Sequence, residues 1–375
     1  MNPDHSHQQE AAPINWTVSI VLGLSFLVTL TVVPWYALSV GFSGWAWLCF
    51  GLFLVLNGVG IGSGYNRLWS HRAYRARTPQ KLFLPIFGGM AMQNSILVWC
   101  ARHRIHHRDV DDNDSDPYSI GRGFWFAHIG WMLRDYESGR IDYSVVPDLQ
   151  RDPVVAWQHR NYWTLVWATN LGLPLLAGWL TGEWLGMFLL AGVARLTVNH
   201  HVTFFVNSLA HIWGRQPYTD ENSARDNWFV ALLTYGEGYH NYHHLFQNDY
   251  RNGIRWWQFD INKWFIAICA SLGLASSLKR APRFKVLRAR LNMEFKRARQ
   301  RLAEQQDDRG WREALESEYA EFMETVKRWQ ALQVDRVQQG RAAFAKGLNT
   351  RFKELEFSLK MQRKRLALLT AQLSV

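Results

Sequence analysis

Apolar residues collect in four long stretches of the chain, and these predict membrane-spanning helices. The first stretch covers residues 16–38 and the second residues 44–64, each long enough to cross a hydrocarbon core of ~30 Å. The third covers residues 163–180 and the fourth residues 184–205. Since only short turns separate the members of each pair, the pattern predicts two helical hairpins and an all-α integral membrane protein.

A long polar stretch, residues 67–162, joins the two hairpins and is rich in arginine, whereas both hairpin turns lack Lys and Arg. The positive-inside rule then places this stretch and both termini in the cytosol, and we expect a bacterial inner membrane. Within the stretch, Leu82–Val98 is apolar but short and interrupted by Pro85 and glycines. It predicts an interfacial or re-entrant helix rather than a fifth span.

Composition supports the membrane assignment and separates the C-terminal quarter from the rest. The chain has 20 Trp, 21 Phe and 13 Tyr, residues that concentrate at membrane–water interfaces. Residues 279–375 hold 23 Lys and Arg against 12 Asp and Glu, which accounts for the whole formal net charge of +11. The predicted divisions are a polar segment at 1–15, a membrane domain at 16–284 and a basic amphipathic helical tail at 285–375.

The tail carries apolar residues at helical spacing. One group is Leu291, Phe295, Ala298 and Leu302, a second is Leu315, Tyr319, Phe322, Val326 and Trp329, and a third is Phe352, Leu355 and Leu359. One interpretation is a helical hairpin that packs on itself or on the catalytic domain. The other is a device for meeting the membrane surface or a second copy of the chain. Its charge favours anionic membrane lipid over nucleic acid as the partner.

The three cysteines, Cys49, Cys100 and Cys269, fall singly in apolar or aromatic stretches. They form no CxxC pair, so they predict neither a zinc site nor a disulfide framework, which fits a reducing compartment. We interpret them as small buried hydrophobic residues.

Histidines carry the candidate chemistry. Two segments, His103–His107 and His240–His244, share the pattern HxxHH. On a helix the first, fourth and fifth positions of this pattern lie on one face, so each segment brings three imidazoles together. Further candidate ligands lie beside the predicted spans, namely His71 after the second span and the pair Asn207 and His211 at the end of the fourth.

A site built from imidazoles without thiolates suits iron, zinc or copper by ligand type. Structural zinc takes four closed ligands, and about nine candidates are present here. Redox chemistry on a lipid substrate favours iron, so two HxxHH segments beside membrane spans predict a site with a pair of metals.

Five segments together resemble the acyl-CoA desaturase family of membrane fatty-acid desaturases, over about residues 45–284: WSHRAYRA, HRIHH, DPYSIGRGFWFAHIGWML, VNSLAHIWG and GEGYHNYHH. That family binds two irons through nine histidines and a water held by an asparagine. The resemblance implies that His71, His103, His107 and His243 hold one iron. It implies that His106, His211, His240 and His244 hold the other, with Asn207 reaching it through water.

The activity implied by the resemblance is O₂-dependent introduction of a cis double bond, of the Δ9 type, into a long-chain acyl-CoA or a related acyl thioester. The irons activate dioxygen, because no side-chain acid or base can remove hydrogen from an unactivated methylene. We expect electrons from a separate carrier, a ferredoxin or a cytochrome with an NAD(P)H reductase. The tail also allows self-association of the chain.

The chain departs from the family's pattern at Asn66, which occupies the leading position of the family's HxxxxH motif that ends at His71. An amide oxygen is a weaker ligand for ferrous iron than an imidazole. The alternatives are a working desaturase, a membrane lipid hydroxylase on the same scaffold, or a catalytically impaired lipid-binding relative.

The second departure is Arg102, where the family commonly has an aspartate near the acyl-CoA headgroup. An arginine there would favour a phosphate or another anion. Gln93, Asn94 and Trp99 match family positions that line the entrance to the substrate tunnel, and their other interpretation is as interfacial anchors or helix caps.

The remaining histidines and acids predict structural roles. His128 and His159 are expected to pack or cap, and His200 and His201 to serve helix packing or the tunnel. The run Asp109–Asp116 lacks the glycine and glutamate of a calcium-binding EF-hand loop, and Asp116–Pro117 is interpreted as a turn.

Overall fold

The computed structural model describes residues 12–304, 310–338 and 345–372. Most of the polar segment predicted at residues 1–15 therefore lies outside the described residues. The chain divides into two compact units, the first comprising Met1–Gly214 and Asn222–Lys279 and the second Arg215–Glu221 and Arg280–Val375. The described elements are almost all helical, so the predicted helical fold class is confirmed.

The first unit opens with a helical hairpin. Its helices are α1 (Trp16–Leu30), α2 (Val32–Ser39) and α3 (Gly44–Val59), and α3 runs directly into a π-helix (Gly60–Ser70). Asn15 caps α1 by accepting a hydrogen bond from the Val18 amide, and Ser43 caps α3 by accepting one from the Ala46 amide. The second helix thus continues beyond the predicted end at residue 64.

Two helices of the described chain are long and apolar enough to cross a membrane, Trp16–Ser39 and Gly44–Ser70. The α1 helix buries none of its side chains within the protein, and Trp16, Ile20 and Leu24 are each about three-fifths exposed. An apolar face of this size is unfavourable in water, so it indicates a surface that contacts lipid.

The prediction of one interfacial helix at Leu82–Val98 is wrong. The structure has two helices here, α4 (Thr78–Gly89) and α5 (Ile96–Arg108), separated by a turn. Met92 (φ 51°) and Asn94 (φ 73°) adopt left-handed backbone in that turn. Ser95 then caps the start of α5 by accepting a hydrogen bond from the Val98 amide, which begins a new helix that carries the first HxxHH segment.

Short elements connect α5 to the second hairpin. In chain order they are a 3₁₀ turn (Ile120–Arg122), a π-helix (Phe126–Gly130), α6 (Trp131–Leu133), 3₁₀ turns at Glu137–Gly139 and Tyr143–Val145, α7 (Pro147–Gln150) and α8 (Pro153–Arg160).

The third and fourth predicted spans are also helical, and each is built from three consecutive segments. They are α9 (Tyr162–Trp167), a π-helix (Ala168–Gly172) and α10 (Leu173–Thr181), then α11 (Trp184–Met187), a π-helix (Phe188–Ala194) and α12 (Arg195–Asn207). Gly182, at φ 73°, makes the turn between them. The buried guanidinium of Arg195 donates to the carbonyl oxygens of Met90 and Ala191 and to Asn170 Oδ1, so its polar groups are satisfied. The four-span topology stays a prediction.

The first unit closes with four helices and a small sheet. The helices are α13 (Leu209–Ile212), α14 (Trp228–Leu233), α15 (His240–Leu245) and α16 (Ile261–Ser271). The sheet pairs β1 (Arg75–Ala76) with β2 (Ala275–Ser276) in antiparallel register.

The second unit contains three long helices, α17 (Arg283–Ala303), α18 (Trp311–Gln338) and α19 (Ala345–Gln372). All three groups of apolar residues identified in the sequence of the tail belong to one hydrophobic cluster. Phe284 stacks on Trp329 within that cluster, with ring centroids 4.5 Å apart. The tail therefore packs on itself, in a bundle with its own core.

Replacing Phe322 by Ala should destabilise this bundle. Phe322 is fully buried in its core, so truncation leaves a cavity and should lower the free energy of opening of α18 by about 3–5 kcal/mol. Phe357→Ala is the matched control, because Phe357 is 63% exposed and should change that free energy by less than about 0.5 kcal/mol. Native-state amide exchange in the full-length protein measures both, and equal effects would contradict the described core.

Candidate metal centre

Four elements of the first unit bring eight histidines together. His71 follows the Gly60–Ser70 π-helix, α5 and α15 carry the two HxxHH segments, and α13 carries His211. The side chains form two groups, and within each group the ring nitrogens lie within 4.8 Å of one another. The first group is His71, His103, His107 and His243, and the second is His106, His211, His240 and His244.

The two HxxHH helices contribute to the groups in a crossed arrangement. In each segment the first and last histidines, four residues apart, enter the same group. The middle histidine enters the other group, so α5 gives His106 to the second group and α15 gives His243 to the first. Each helix therefore serves both groups, and neither group can form from one helix alone.

The contacts between ring nitrogens have the spacing expected of ligands around a common ion. His71 Nε2 lies 2.9 Å from His103 Nε2, and His240 Nε2 lies 3.1 Å from His211 Nε2 and 3.0 Å from His244 Nε2. A ring nitrogen carries either one hydrogen or one lone pair, so His240 Nε2 cannot make a linear hydrogen bond to both neighbours. Metal–imidazole bonds of about 2.0–2.1 Å place neighbouring ligand nitrogens about 3 Å apart, so the donor set fits metal ions.

Burial lowers the pKa of seven of these imidazoles and keeps them neutral. Desolvation is the largest cause that lowers the pKa of His71 and of His240 to about 3, with repulsion from neighbouring charged groups adding to it. The same two causes hold the pKa well below the usual value in five more members of the groups, His103, His107, His211, His243 and His244. Neutral rings keep a lone pair available for a metal.

Two acids outside the groups, Asp116 and Asp111, determine which ring nitrogen carries the hydrogen in His106 and His211. The fully buried Asp116 carboxylate lies 2.9 Å from His106 Nδ1, and a carboxylate only accepts, so Nδ1 donates and Nε2 keeps its lone pair. Ser223 Oγ donates to Asp111 Oδ1 at 2.5 Å and therefore accepts from His211 Nδ1 at 2.7 Å. The lone pair of His211 is again on Nε2.

Neither acid was predicted from the sequence, because the run Asp109–Asp116 lacks the pattern of a calcium-binding loop and Asp116–Pro117 is typical of a turn. A usable signal was present, since both acids belong to a group of five that follows the first HxxHH segment within ten residues. Metal-binding histidines usually donate their second N–H to such a group.

Asn66 lies beside the first group. The His71 amide donates to the Asn66 carbonyl at 3.0 Å, the i to i+5 bond of a π-helix, so these residues are neighbours across one helical turn. Asn66 Nδ2 donates to Glu237 Oε2 at 3.1 Å. Asn66 Oδ1 is buried and has no hydrogen-bond partner among the described residues, which is a vacant acceptor suited to a cation.

A buried ion pair holds the surrounding segments. The Arg67 guanidinium contacts Glu237 and Asp260, each at 2.9 Å. Glu237 lies between two glycines that the fold requires. Gly236 has φ 105°, and a side chain at Gly238 would fall 2.2 Å from the Ala231 amide nitrogen.

A cavity of about 1010 Å³ opens onto both histidine groups, because His103, His240 and His243 are among its lining residues. Apolar residues of α1 and of the Gly60–Ser70 π-helix, including Val21 and Ile61, line another part of it. Asn207, the last residue of α12, also lines the cavity. The cavity therefore connects candidate metal ligands to an apolar space.

The four predicted substrate contacts all line this cavity and have partners within the protein. Gln93 Nε2 donates to Thr203 Oγ1 at 2.8 Å, and the Asn94 amide donates to the Tyr162 hydroxyl at 3.0 Å. Trp99 stacks on His103, with ring centroids 4.5 Å apart. The Arg102 guanidinium donates twice to the Gly139 carbonyl, at 3.1 and 3.0 Å.

The other histidines form hydrogen bonds outside the two groups. The Ser208 hydroxyl donates to the Phe204 carbonyl and accepts from His128 Nδ1, so His128 Nε2 must accept from His201 Nδ1 at 3.0 Å. This chain of bonds fixes the end of α12 next to Asn207. His159 Nδ1 contacts Ser95 Oγ at 2.7 Å, and His200 Nε2 donates to the Ala91 carbonyl.

Comparisons with known proteins agree with this geometry. The fatty acid desaturase family model matches residues 43–267. A probable acyl-CoA desaturase of Schizosaccharomyces pombe is 47% identical over 62% of this chain and 48% of its own length. Acyl-CoA desaturase 1 of Saccharomyces cerevisiae is 36% identical over 81% of this chain and 58% of its own length.

This chain matches another relative over almost the whole length of that relative. The sn-2 palmitoyl-lipid 9-desaturase of Nostoc sp. is 32% identical over 72% of this chain and 92% of its own length. By contrast, this chain spans about half the length of the two yeast proteins.

Replacing Asp116 by Asn should weaken metal retention about 10–100-fold, because the neutral amide no longer fixes the His106 ring through a charged acceptor. Asp114→Asn is the matched control, since this carboxylate is exposed and outside the groups. Metal per chain after dialysis against a chelator series measures the effect. Equal metal retention in both variants would show that Asp116 does not support the metal site.

Replacing Asn66 by His should raise metal retention, because an imidazole replaces the vacant amide oxygen beside the first group. Asn252→His is the control, as Asn252 Nδ2 also donates to Glu237 but the residue does not line the cavity. The same chelator series compares them. A gain with Asn252→His, or a loss with Asn66→His, would contradict the position assigned to Asn66.

Proposed function

The chain belongs to the fatty acid desaturase family, and from that membership we propose that it introduces a cis double bond, of the Δ9 type, into a long-chain acyl-CoA or related acyl thioester. Two iron ions and O₂ serve the reaction. One iron would be held by His71, His103, His107 and His243, the other by His106, His211, His240 and His244. Asn207 would contact the second iron through a water.

The observation that carries this proposal is the shared cavity. Both histidine groups border it, and its apolar part can take a hydrocarbon chain whose methylenes come next to the irons. The wall contributed by α1 and the Gly60–Ser70 π-helix belongs to the two helices that are apolar enough to cross a membrane. A lipid substrate can thus reach the site from a bilayer.

Iron supplies the oxidising power that an unactivated C–H bond needs, since the protein's acids and bases cannot break it. The balance is one O₂, two electrons and two protons consumed, two hydrogens removed from adjacent methylenes and two waters formed. The two electrons come from a separate donor, a ferredoxin or a cytochrome with an NAD(P)H reductase.

The chain's own residues bind and orient the acyl group. The Gln93–Thr203 bond links the turn before α5 to α12 across the cavity wall, and Trp99 stacks on His103. Both contacts fix the wall beside the first group, which positions one segment of the acyl chain against it. The apolar lining excludes water around that segment.

The headgroup assignment rests on a group of charged residues that line the cavity. This group comprises Arg102, Arg134 and Arg140 with Asp135 and Glu137, and Arg140 contacts Glu137 at 2.9 Å, so its cations exceed its acids by one. An excess cation favours a phosphate. The relatives' names include both acyl-CoA and sn-2 palmitoyl-lipid substrates. We assign this chain to acyl thioesters, and a lipid-linked acyl group is the alternative that substrate feeding distinguishes.

We also propose that the chain spans the membrane four times, with the histidine groups and both termini in the cytosol. The family and the two apolar helices support a membrane location. The arginine-rich residues 67–162 support the orientation through the positive-inside rule.

A membrane lipid hydroxylase is the second candidate, and Asn66 is the observation that favours it. The first group has four imidazoles, and Asn66, with a buried side-chain oxygen that lacks a hydrogen-bond partner among the described residues, stands where the family's pattern has a further imidazole. A changed ligand set changes the oxidant, and the scaffold would then add oxygen instead of removing hydrogen.

Expression in a host that lacks its own desaturase should produce a cis monounsaturated acyl chain, and His106→Ala should abolish it. His159→Gln is the matched control, because His159 lies outside both groups and should keep most of the activity. Mass spectrometry separates loss of two hydrogens from gain of one oxygen, and fed acyl-CoA and phospholipid separate the headgroups. A hydroxylated product would establish the second candidate.

A further inference from the structure

One face of α19 exposes large apolar side chains. Phe357 is 63% exposed, Met361 36% and Leu368 67%, although the bundle's core is available on the other side of the helix. Their spacing of four and seven residues places them on one face. We call these three residues the apolar face of α19.

Lysines border the apolar face and lack counterions. Lys353, Lys360 and Lys364 make no ion pair with any described residue. Neighbouring arginines of the same helix are paired, Arg363 with Glu294 and Arg365 with Glu318 and Glu321. The unpaired charges therefore lie beside the apolar face, whereas the paired charges join α19 to the other helices.

A groove of about 570 Å³ runs between α17 and α19 and shares two of these lysines. Apolar side chains, including Leu287 and Leu366, form part of its lining. Five cations line it, namely Arg297, Arg301, Lys360, Arg363 and Lys364, against one acid, Glu294. Glu294 is already bonded to Arg363, and Arg297 donates to the Gln216 carbonyl.

The remaining cations, Arg301, Lys360 and Lys364, have no acid in ion-pair contact within the described part of the chain. A groove with apolar lining and unpaired cations is complementary to an amphiphile with an acyl chain and a phosphate. Two copies of the chain meeting through this face would bring like charges together, which is unfavourable. Nucleic acid would leave Phe357 and Leu368 without an apolar partner.

We propose that α19 lies on an anionic phospholipid surface. The apolar face enters the boundary between headgroups and acyl chains, and Lys353, Lys360 and Lys364 contact lipid phosphates. The groove between α17 and α19 takes one phosphate headgroup. This binding site is separate from the histidine groups and does not depend on the proposed activity.

Hydrogen–deuterium exchange of the full-length protein in nanodiscs tests the proposal. Single copies are placed in discs of phosphatidylcholine alone or with phosphatidylglycerol. Residues 353–371 should exchange more slowly in the anionic discs, and high salt should reduce the difference by screening. Each lysine near the surface contributes about a fivefold factor to the equilibrium constant for docking.

Variants separate lipid contact from a general charge effect. Lys360→Glu with Lys364→Glu should abolish the difference between the two lipids, and Phe357→Ser with Leu368→Ser should reduce it. Lys285→Glu with Lys327→Glu is the matched control, because both lysines are exposed and outside the groove. Protection around Phe322 in the same experiment reports whether each variant is folded.

Equal exchange in both lipids for the unaltered, folded protein would overturn the proposal. So would an equal loss of protection in the control variant. Protection that arises only in discs with two copies would identify the face as a self-association surface instead.

Discussion

The buried guanidinium of Arg67 is the contact on which the geometry of the histidine groups depends. It joins the Gly60–Ser70 π-helix to a part of the chain at least 170 residues away, since it binds Glu237, Asp260 and the Tyr250 carbonyl. Losing one partner of such a buried pair costs about 3–5 kcal/mol, because the others stay charged without a counterion. Arg67 is four residues before His71, and Glu237 is three before His240. The ion pair therefore sets the distance between a ligand of the first group and a ligand of the second.

The crossed use of the two HxxHH helices adds a second constraint. Because α5 and α15 each serve both groups, a shift of either helix disturbs both groups at once. The hydrogen bonds from Asp116 and Ser223 then orient individual rings within that frame. The main chain sets where the helices lie, and side chains outside the groups set which nitrogen faces inward.

The sequence predicted the elements that depend on local spacing. The first apolar hairpin, the helical tail and the juxtaposition of the eight histidines follow from periodicity and from the resemblance to a known family. The break in Leu82–Val98 did not follow, because it depends on left-handed backbone at Met92 and Asn94 and on capping by Ser95. The roles of Asp111 and Asp116 also escaped prediction, since a turn is all that local sequence indicates and their partners depend on tertiary packing. The π-helix at Gly60–Ser70 was unexpected as well, although a spacing of five residues from Asn66 to His71 suits one turn of it.

A single base change at the codon for Asn66 would change the number of histidines at the site. The codons for asparagine and histidine differ only in their first base, so one transversion converts the residue here into the histidine of the family motif. No backbone change has to accompany it, because the π-helix already places position 66 beside His71. The ninth imidazole is consequently one mutational step away in either direction. Natural variation at this single codon therefore records how strongly selection acts on the ligand count.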